Sequence, residues 1–345
     1  MSRRALTLLL ASLLALGLTL TAAVARVPYV ALGPGPTYNT LGDVDGTAVL
    51  EVEGRRTFPT DGHLDLTTVG VQASLTLAQA LQGWFARDLA VVPREVVFPP
   101  GRTDEQVDQE NAQAMVESQS AALLAAARQL GFRVAEVRVQ ELGDASPAEG
   151  RLQVGDVLLA VDGKDVRDAA ELRALISSRA AGEPVTITYE RSGARAEARI
   201  TTGTTGGDGE KRPVIGVVTE EKAVEVPFDV TINLEDVGGP SAGLMFTLGI
   251  IDKLGPDSLT GGKYVAGTGE ISPDGTVGPI GGITQKLIAS RRKGAVVFLV
   301  PEANCAEAVA RPPAGLTLVK VGTLSDALDG LQAVRRGAEP ITCAS

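Results

Sequence analysis

The sequence predicts an α+β chain in which two folded modules follow one apolar helix of membrane length. Three observations predict it. The 345 residues suit two domains of ordinary size, each with its own core. Residues 5–25 carry no charge and contain nine leucines. Beyond them, strand-like and helix-like stretches are divided by turns rich in glycine, which numbers 40 of 345, about 12% against a usual ~7%. Aromatic residues are scarce, at 7 Phe, 4 Tyr and 1 Trp, so the cores must be built from Ala, Leu, Val and Ile.

As a helix, residues 5–25 rise about 31 Å at ~1.5 Å per residue, enough to cross a bilayer core. Arg3 and Arg4 precede the segment, which keeps the amino terminus cytoplasmic and sends everything after Arg26 outside. Ala23-Val24-Ala25 also fits a small-x-small cleavage pattern, so the segment reads either as an uncleaved anchor or as a longer than usual signal peptide. Both place the body outside the cytoplasm. There, Cys305 and Cys343 form either one bridge tying down the C-terminal tail or two free thiols.

Composition excludes several classes of function. Net charge is −10, and more negative once Arg3 and Arg4 are set aside. An acidic body argues against nucleic acid as a partner and against a basic membrane-surface patch. His63 is the only histidine, which excludes a zinc site built on several His, and two cysteines exclude a four-Cys metal site. No G-x-x-x-x-G-K-[ST] phosphate loop occurs. No metal or cofactor is expected.

Residues 27–46, with Gly33-Pro34-Gly35-Pro36, read as an extended linker. Residues 49–52 and 64–71 read as strands, and 75–85 and 104–130 as helices, the second ending at Gly131. Trp84 and Phe85 are expected to plug the core. His63 reads as a satisfied strand-end residue.

Residues 132–200 have a separate character. Strand-like 132–139 leads to Gly143-Asp144-Ala145-Ser146-Pro147 and then to Gly155-Asp156 with apolar 157–161 and Asp162-Gly163, a hairpin signal. A short helix at 168–178 and a strand at 185–189 follow. The run S-P-A-x-G-x-L-x-x-G-D-x-L-L-A-V-D-G, Ser146 to Gly163, resembles a bacterial PDZ domain. Such domains bind an extended peptide, often a free C-terminus, by adding it to a sheet edge. The polar, Gly-rich residues 201–209 read as the flexible exit from this module. No clear G-L-G-F signature marks a carboxylate-binding loop.

A strand at 226–234 precedes Glu235-Asp236-Val237-Gly238-Gly239-Pro240-Ser241-Ala242-Gly243, and helix-compatible 244–254 follows. Ser241 therefore sits in a Gly-dense turn opening a helix, where backbone N–H groups, those of Gly239 and Ser241 among them, suit an oxyanion. Serine needs a base to take its proton. His63 has no supporting pattern around it. Lys286, within Gly278-Pro279-Ile280-Gly281-Gly282-Ile283-Thr284-Gln285-Lys286, is the better candidate. A lysine in an apolar pocket loses solvation, its pKa falls, and it becomes a general base near neutral pH.

G-P-S-A-G at 239–243, A-G-T-G-E-I-S at 266–272 and G-P-I-G-G-I-x-x-K at 278–286 resemble the proteolytic domain of the Lon family. The resemblance implies Ser241 as nucleophile, Lys286 as base and Thr268 as the residue orienting the lysine. Glu270 is left a structural role, and Glu235 and Asp236 read as solvated loop carboxylates. His63 to Thr68, and Met115-Val116-Glu117-Ser118 with the Ala-rich run to Gly131, resemble the first strand and long helix of that domain. The implied architecture is an α+β Lon-type protease domain with an inserted PDZ domain, after a transmembrane helix at 5–25. Its parts are 26–130, the N-terminal part of the protease domain, 131–203, the PDZ domain, and 210–345, the proteolytic domain with the dyad. The combination resembles the membrane-anchored PDZ–Lon proteases of bacteria.

That resemblance implies an ATP-independent serine endopeptidase outside the cytoplasm, acting on unfolded or exposed protein segments. The PDZ module would recruit or gate protein and peptide substrates through free C-termini. The helix would reach the membrane, no nucleic acid takes part, and a homo-oligomeric ring is compatible. Two other classes are a catalytically silent, membrane-tethered PDZ adaptor and a peptidase subunit serving a separate ATPase. The intact set of Ser241, Thr268 and Lys286 counts against the first, and outward topology against the second.

Overall fold

Strands from two distant parts of the sequence meet in one sheet, which joins the chain up to residue 126 and from residue 230 into a single unit, while residues 127–229 form a second. The computed structural model describes residues 3–205, 212–234 and 237–344. The expected readings of Glu235 and Asp236 lie outside the described residues.

The first unit opens with α1 (Arg3–Val24), none of whose side chains is buried. It is long and apolar enough to cross a membrane, a test that a signal sequence also passes. Then come β1 (Tyr29–Asn39), β2 (His63–Gln72), α2 (Leu77–Phe85), β3 (Ala90–Pro93) and α3 (Asp104–Gln129). The linker expected at 27–46 is largely β1, a strand paired on both edges with β2 and β3. Its Gly-Pro-Gly-Pro run sits at a register shift between Pro34 and Thr37, where a missing N–H interrupts the ladder without orphaning a donor. Gly35 is required there, because a Cβ would lie 2.7 Å from the Thr68 carbonyl carbon.

A Thr76–Gln79 capping box starts α2. The helix seats itself on its small residues, Ala80 and Gly83, and a Cβ at Gly83 would meet Val91 at 2.6 Å. Its large apolar residues consequently face outward. Trp84 and Phe85 are 54% and 88% exposed, so they do not plug the core as expected from their rarity.

The second unit is an antiparallel sheet of β4 (Ala135–Leu142), β5 (Val157–Val161), β6 (Pro184–Arg191), β7 (Ala194–Thr201) and β8 (Val217–Ala223), in the order β7-β6-β5-β4-β8. Its helix, α4 (Ala169–Ser177), is capped by Asp168, whose carboxylate accepts from the Glu171 N–H at 2.7 Å. Leu172 and Ile176 enter a core with Val137, Leu158, Val161, Ile187 and Ile200. Asp162 and Gly163 both take positive φ, 48° and 77°, the two-residue hairpin their pairing predicts. Residues 203–205, expected within a flexible exit, instead form a strand with Arg212–Val214. The unit runs past Gly203 to Asp229, because β8 completes its sheet.

The first unit resumes with α5 (Gly243–Leu254), β9 (Tyr264–Gly267), α6 (Ile283–Lys293), β10 (Val297–Pro301), β11 (Thr317–Val321) and α7 (Leu324–Arg336). Its sheet has the order β11-β10-β9-β2-β1-β3, with β11, β10, β9 and β2 parallel. Every residue of β10 is buried, as a central parallel strand covered on both faces must be. Residues Gly243 to Asp252 of α5 are likewise all buried. Cys305 and Cys343 form a disulfide, so the bridged alternative holds, and the two half-cystines lie against the core that includes Ile283 and Leu287 of α6.

Candidate active site

Ser241 lies one turn ahead of α5, in a loop gripped by α3. The Gly239 N–H donates to the Asn111 carbonyl at 2.8 Å, and the Ser118 hydroxyl donates to the Pro240 carbonyl at 3.0 Å. Gly239 takes φ +84°, a left-handed conformation that glycine adopts without strain. Gly243 leaves room for Ser118, whose Oγ would stand 2.7 Å from any Cβ there.

The turn after β9 approaches from the other side. The Gly269 N–H and the Thr268 hydroxyl both donate to the Ser241 carbonyl, each at 2.9 Å. The Leu244 N–H returns a bond to the Gly269 carbonyl at 3.1 Å. Thr67 on β2 donates to the Gly267 carbonyl at 3.1 Å, tying the turn to the sheet.

Lys286 comes from the first turn of α6. Its helix starts at Gly282, a left-handed residue at φ +70°, where a Cβ would strike Val69 at 2.7 Å. Asn304 holds the preceding loop by two 2.9 Å bonds to the backbone of Ile280. So placed, Lys286 is only 2% exposed, and its Nζ stands 2.8 Å from Ser241 Oγ and 2.8 Å from Thr268 Oγ1. Burial strips water from the amine and lowers its pKa to about 8. A neutral amine at that position has a lone pair for the serine proton.

Ser241 and Lys286 open into a cleft of about 400 Å³, lined also by Tyr38, Met115 and Gly238, while Thr268 stays fully buried behind them. Thr67 to Gly70 form another wall. The β9 strand ends where Gly267 pairs with Leu66, so past that point, among the described residues, β2 has no strand on that edge. An extended chain laid there would find backbone hydrogen-bonding groups beside the serine.

Thus Ser241, Thr268 and Lys286 converge, from 45 and 18 residues apart in sequence. Gly239 does not serve as expected: its N–H is already donated to Asn111. Among the described residues, the Ser241 and Ala242 N–H groups donate to no main-chain oxygen, and they flank the Ser241 hydroxyl at the start of α5. His63 is remote in role. It stacks on Tyr264, ring centroids 4.2 Å apart, at the start of β2. Glu270 pairs with Gly278 in a two-stranded ribbon. The contributions of Asn111 and Ser118 to holding the serine loop escaped the sequence reading. The helical pattern around Met115 was legible, but nothing local says which helical residue will meet a loop 122 residues away.

A second cavity, about 740 Å³, belongs to the second unit and runs between α4 and residues 212–219. Leu172, Ile176, Ile215 and Val217 give it apolar walls, and Arg173 and Arg212 also line it.

Comparison with known proteins assigns both units. Residues 107–202 match the PDZ domain family, and residues 229–330 match the Lon protease (S16) C-terminal proteolytic domain. Lon protease 2 of Bacillus subtilis is 33% identical over 105 residues, covering 30% of this chain and 18% of that protein. Lon protease of Azospirillum brasilense is 39% identical over 106 residues, covering 30% of this chain and 13% of that protein. The chain therefore spans less than a fifth of the length of these relatives. Among solved structures, the PDZ domain of the SdrC-like protein from Listeria monocytogenes is 27% identical, covering 24% of this chain and 86% of that one, with a TM-score of 0.23. This chain thus joins a PDZ domain to a Lon-type proteolytic domain.

Proposed function

We propose that this chain is a serine endopeptidase that works without ATP through a Ser241–Lys286 dyad. The observation that carries the reading is the 2.8 Å approach of a buried, desolvated lysine amine to the serine hydroxyl. Neutral Lys286 takes the Ser241 proton as Oγ attacks the scissile carbonyl. The Ser241 and Ala242 N–H groups, with the dipole of α5, receive the developing oxyanion. Lys286 then returns the proton to the leaving amine, and water, deprotonated by the same lysine, releases the acyl group from Ser241. Thr268 holds the amine toward Oγ throughout.

Substrates are unfolded or extended polypeptides, which fit a cleft walled by the free edge of β2. The PDZ unit recruits or gates them by taking a C-terminus as an added strand along β8, its last residue in the apolar cavity beside α4. In this reading α1 is a single membrane anchor with the amino terminus in the cytoplasm and the body outside. The Cys305–Cys343 bridge fits that oxidising side.

The test is cleavage of casein by the full chain without nucleotide, beside Ser241→Ala and Lys286→Ala. Cleavage by the parent alone supports the dyad. Equal cleavage by all three, or by none with and without C-terminal peptides added, overturns it.

A further inference from the structure

The face of α2 is built the wrong way round for a helix on a water-soluble body. Its buried residues are Ala80 and Gly83, while Leu77, Leu81, Trp84 and Phe85, spaced i, i+4, i+7 and i+8, are 37%, 43%, 54% and 88% exposed. These four share one stripe of the helix. No charged residue occurs between Asp65 and Arg87, so nothing in the helix solvates that stripe. Tyr29 meets Trp84 edge to face at 5.8 Å, adding a second amphipathic ring to the patch.

Position explains the inversion. The first N–H of α2, that of Leu77, donates at 2.9 Å to the carbonyl of Ala25, the residue after α1 ends. Arg26 and Val27 pair with Thr76 and Leu75 immediately before α2, and α1 and α2 are in contact. The 22 residues of α1 rise about 33 Å at ~1.5 Å each, so an α1 that spans the bilayer places Ala25 at its outer interface. Two hydrogen-bonded connections then set α2 at that same level. Tryptophan and tyrosine concentrate in this zone, and short apolar helix faces lie in its plane.

We propose that α2 is a second, peripheral membrane contact: its Leu77, Leu81, Trp84 and Phe85 face seats in the outer headgroup and upper acyl region beside α1. The inference rests on the reading of α1 as an anchor. The lipid contact is apolar and insensitive to salt, in keeping with the acidic body. Its consequence is to restrict how the proteolytic unit tumbles on its tether.

Trp84 is the only tryptophan in the chain, so its fluorescence reports on this face alone. The full chain is reconstituted into phosphatidylcholine vesicles. Flotation after alkaline washing reports whether α1 anchors it. Quenching by lipids brominated at shallow or deep acyl positions, and by aqueous iodide, reports where Trp84 sits. The expected result is flotation, with Trp84 quenched most by shallow bromines, protected from iodide and unchanged in high salt. The Leu81→Gln, Phe85→Gln double variant is expected to float and cleave casein as the parent does while losing most of the bromolipid quenching. Flotation with iodide quenching and no bromolipid quenching overturns the proposal and leaves the anchor standing. Protection from both quenchers overturns it in favour of a protein neighbour on α2. Failure to float removes the anchor reading and the proposal with it.

Discussion

The hydroxyl of Thr268 donates to the Ser241 carbonyl at 2.9 Å and accepts from the Lys286 amine at 2.8 Å. One fully buried side chain thereby binds the backbone of Ser241 and the amine nitrogen of Lys286. The distance between Oγ and Nζ is set by a shared strut as well as by the helices that carry them.

Thr268→Val removes both bonds while nearly conserving volume. The expected outcome is a kcat lower by about 10- to 100-fold with KM little changed, since misplacement of a reacting group by fractions of an ångström is costly. Thr268→Ser restores most of the rate. Loss of the acceptor also lowers the pKa that governs kcat, a shift that a merely structural threonine would not produce.

Activity is expected to follow the neutral fraction of Lys286. With its pKa lowered to about 8, the free amine is about a tenth of the population at pH 7 and about nine tenths at pH 9. Steady-state cleavage of a peptide is expected to climb across that interval and level off above it. A profile that stays flat across that interval contradicts the lysine base.

The same burial costs stability. The folded value, about 8, lies below the ordinary 10.5, so between these the unfolded chain binds more protons and stability rises with pH. Below pH 8 the full penalty applies. Lys286→Met is expected to lose activity and to unfold at a higher temperature at pH 7 by an increment worth about 2–3 kcal/mol, shrinking as pH approaches 10. Thermal melts of parent and variant across pH check both the sign and the window.

Gly282 sets where α6 begins. Gly282→Ala must hold alanine at φ +70° and press its Cβ to 2.7 Å from Val69. A loss of about 1–3 kcal/mol is expected, with a fall in kcat because Lys286 moves with the helix. Gly281→Ala, where nothing lies within 4 Å, is the control for stability and is expected to leave it nearly unchanged.

The Cys305–Cys343 bridge closes 38 residues and pins a tail whose Cys343 N–H donates to the Leu318 carbonyl at 3.0 Å. Reduction, or Cys305→Ala with Cys343→Ala, is expected to lower stability by about 3–4 kcal/mol. A melt that does not respond to reductant contradicts a formed bridge.

Much of this molecule is written locally. The charge-free run of α1, the Asp162-Gly163 hairpin and the Gly-rich turn before α5 are each set by neighbours a few residues away, where periodicity and turn chemistry act. The order of Ser241, Thr268 and Lys286 was likewise legible as three short motifs. What tertiary contact added is whatever depends on chain segments far apart. The Gly239 N–H is spent on Asn111, so it offers nothing to an oxyanion. The Pro-rich run of β1 became part of a sheet strand because β2 supplies partners to Gly33 and Pro34, overriding its own weak preference. Lys286 has a buried, desolvated amine only because α6, the 268–269 turn and Ser241 together exclude water from it. Trp84 and Phe85 face outward because Gly83 fits against Val91 more closely than any larger residue could, a steric fact that no local pattern contains.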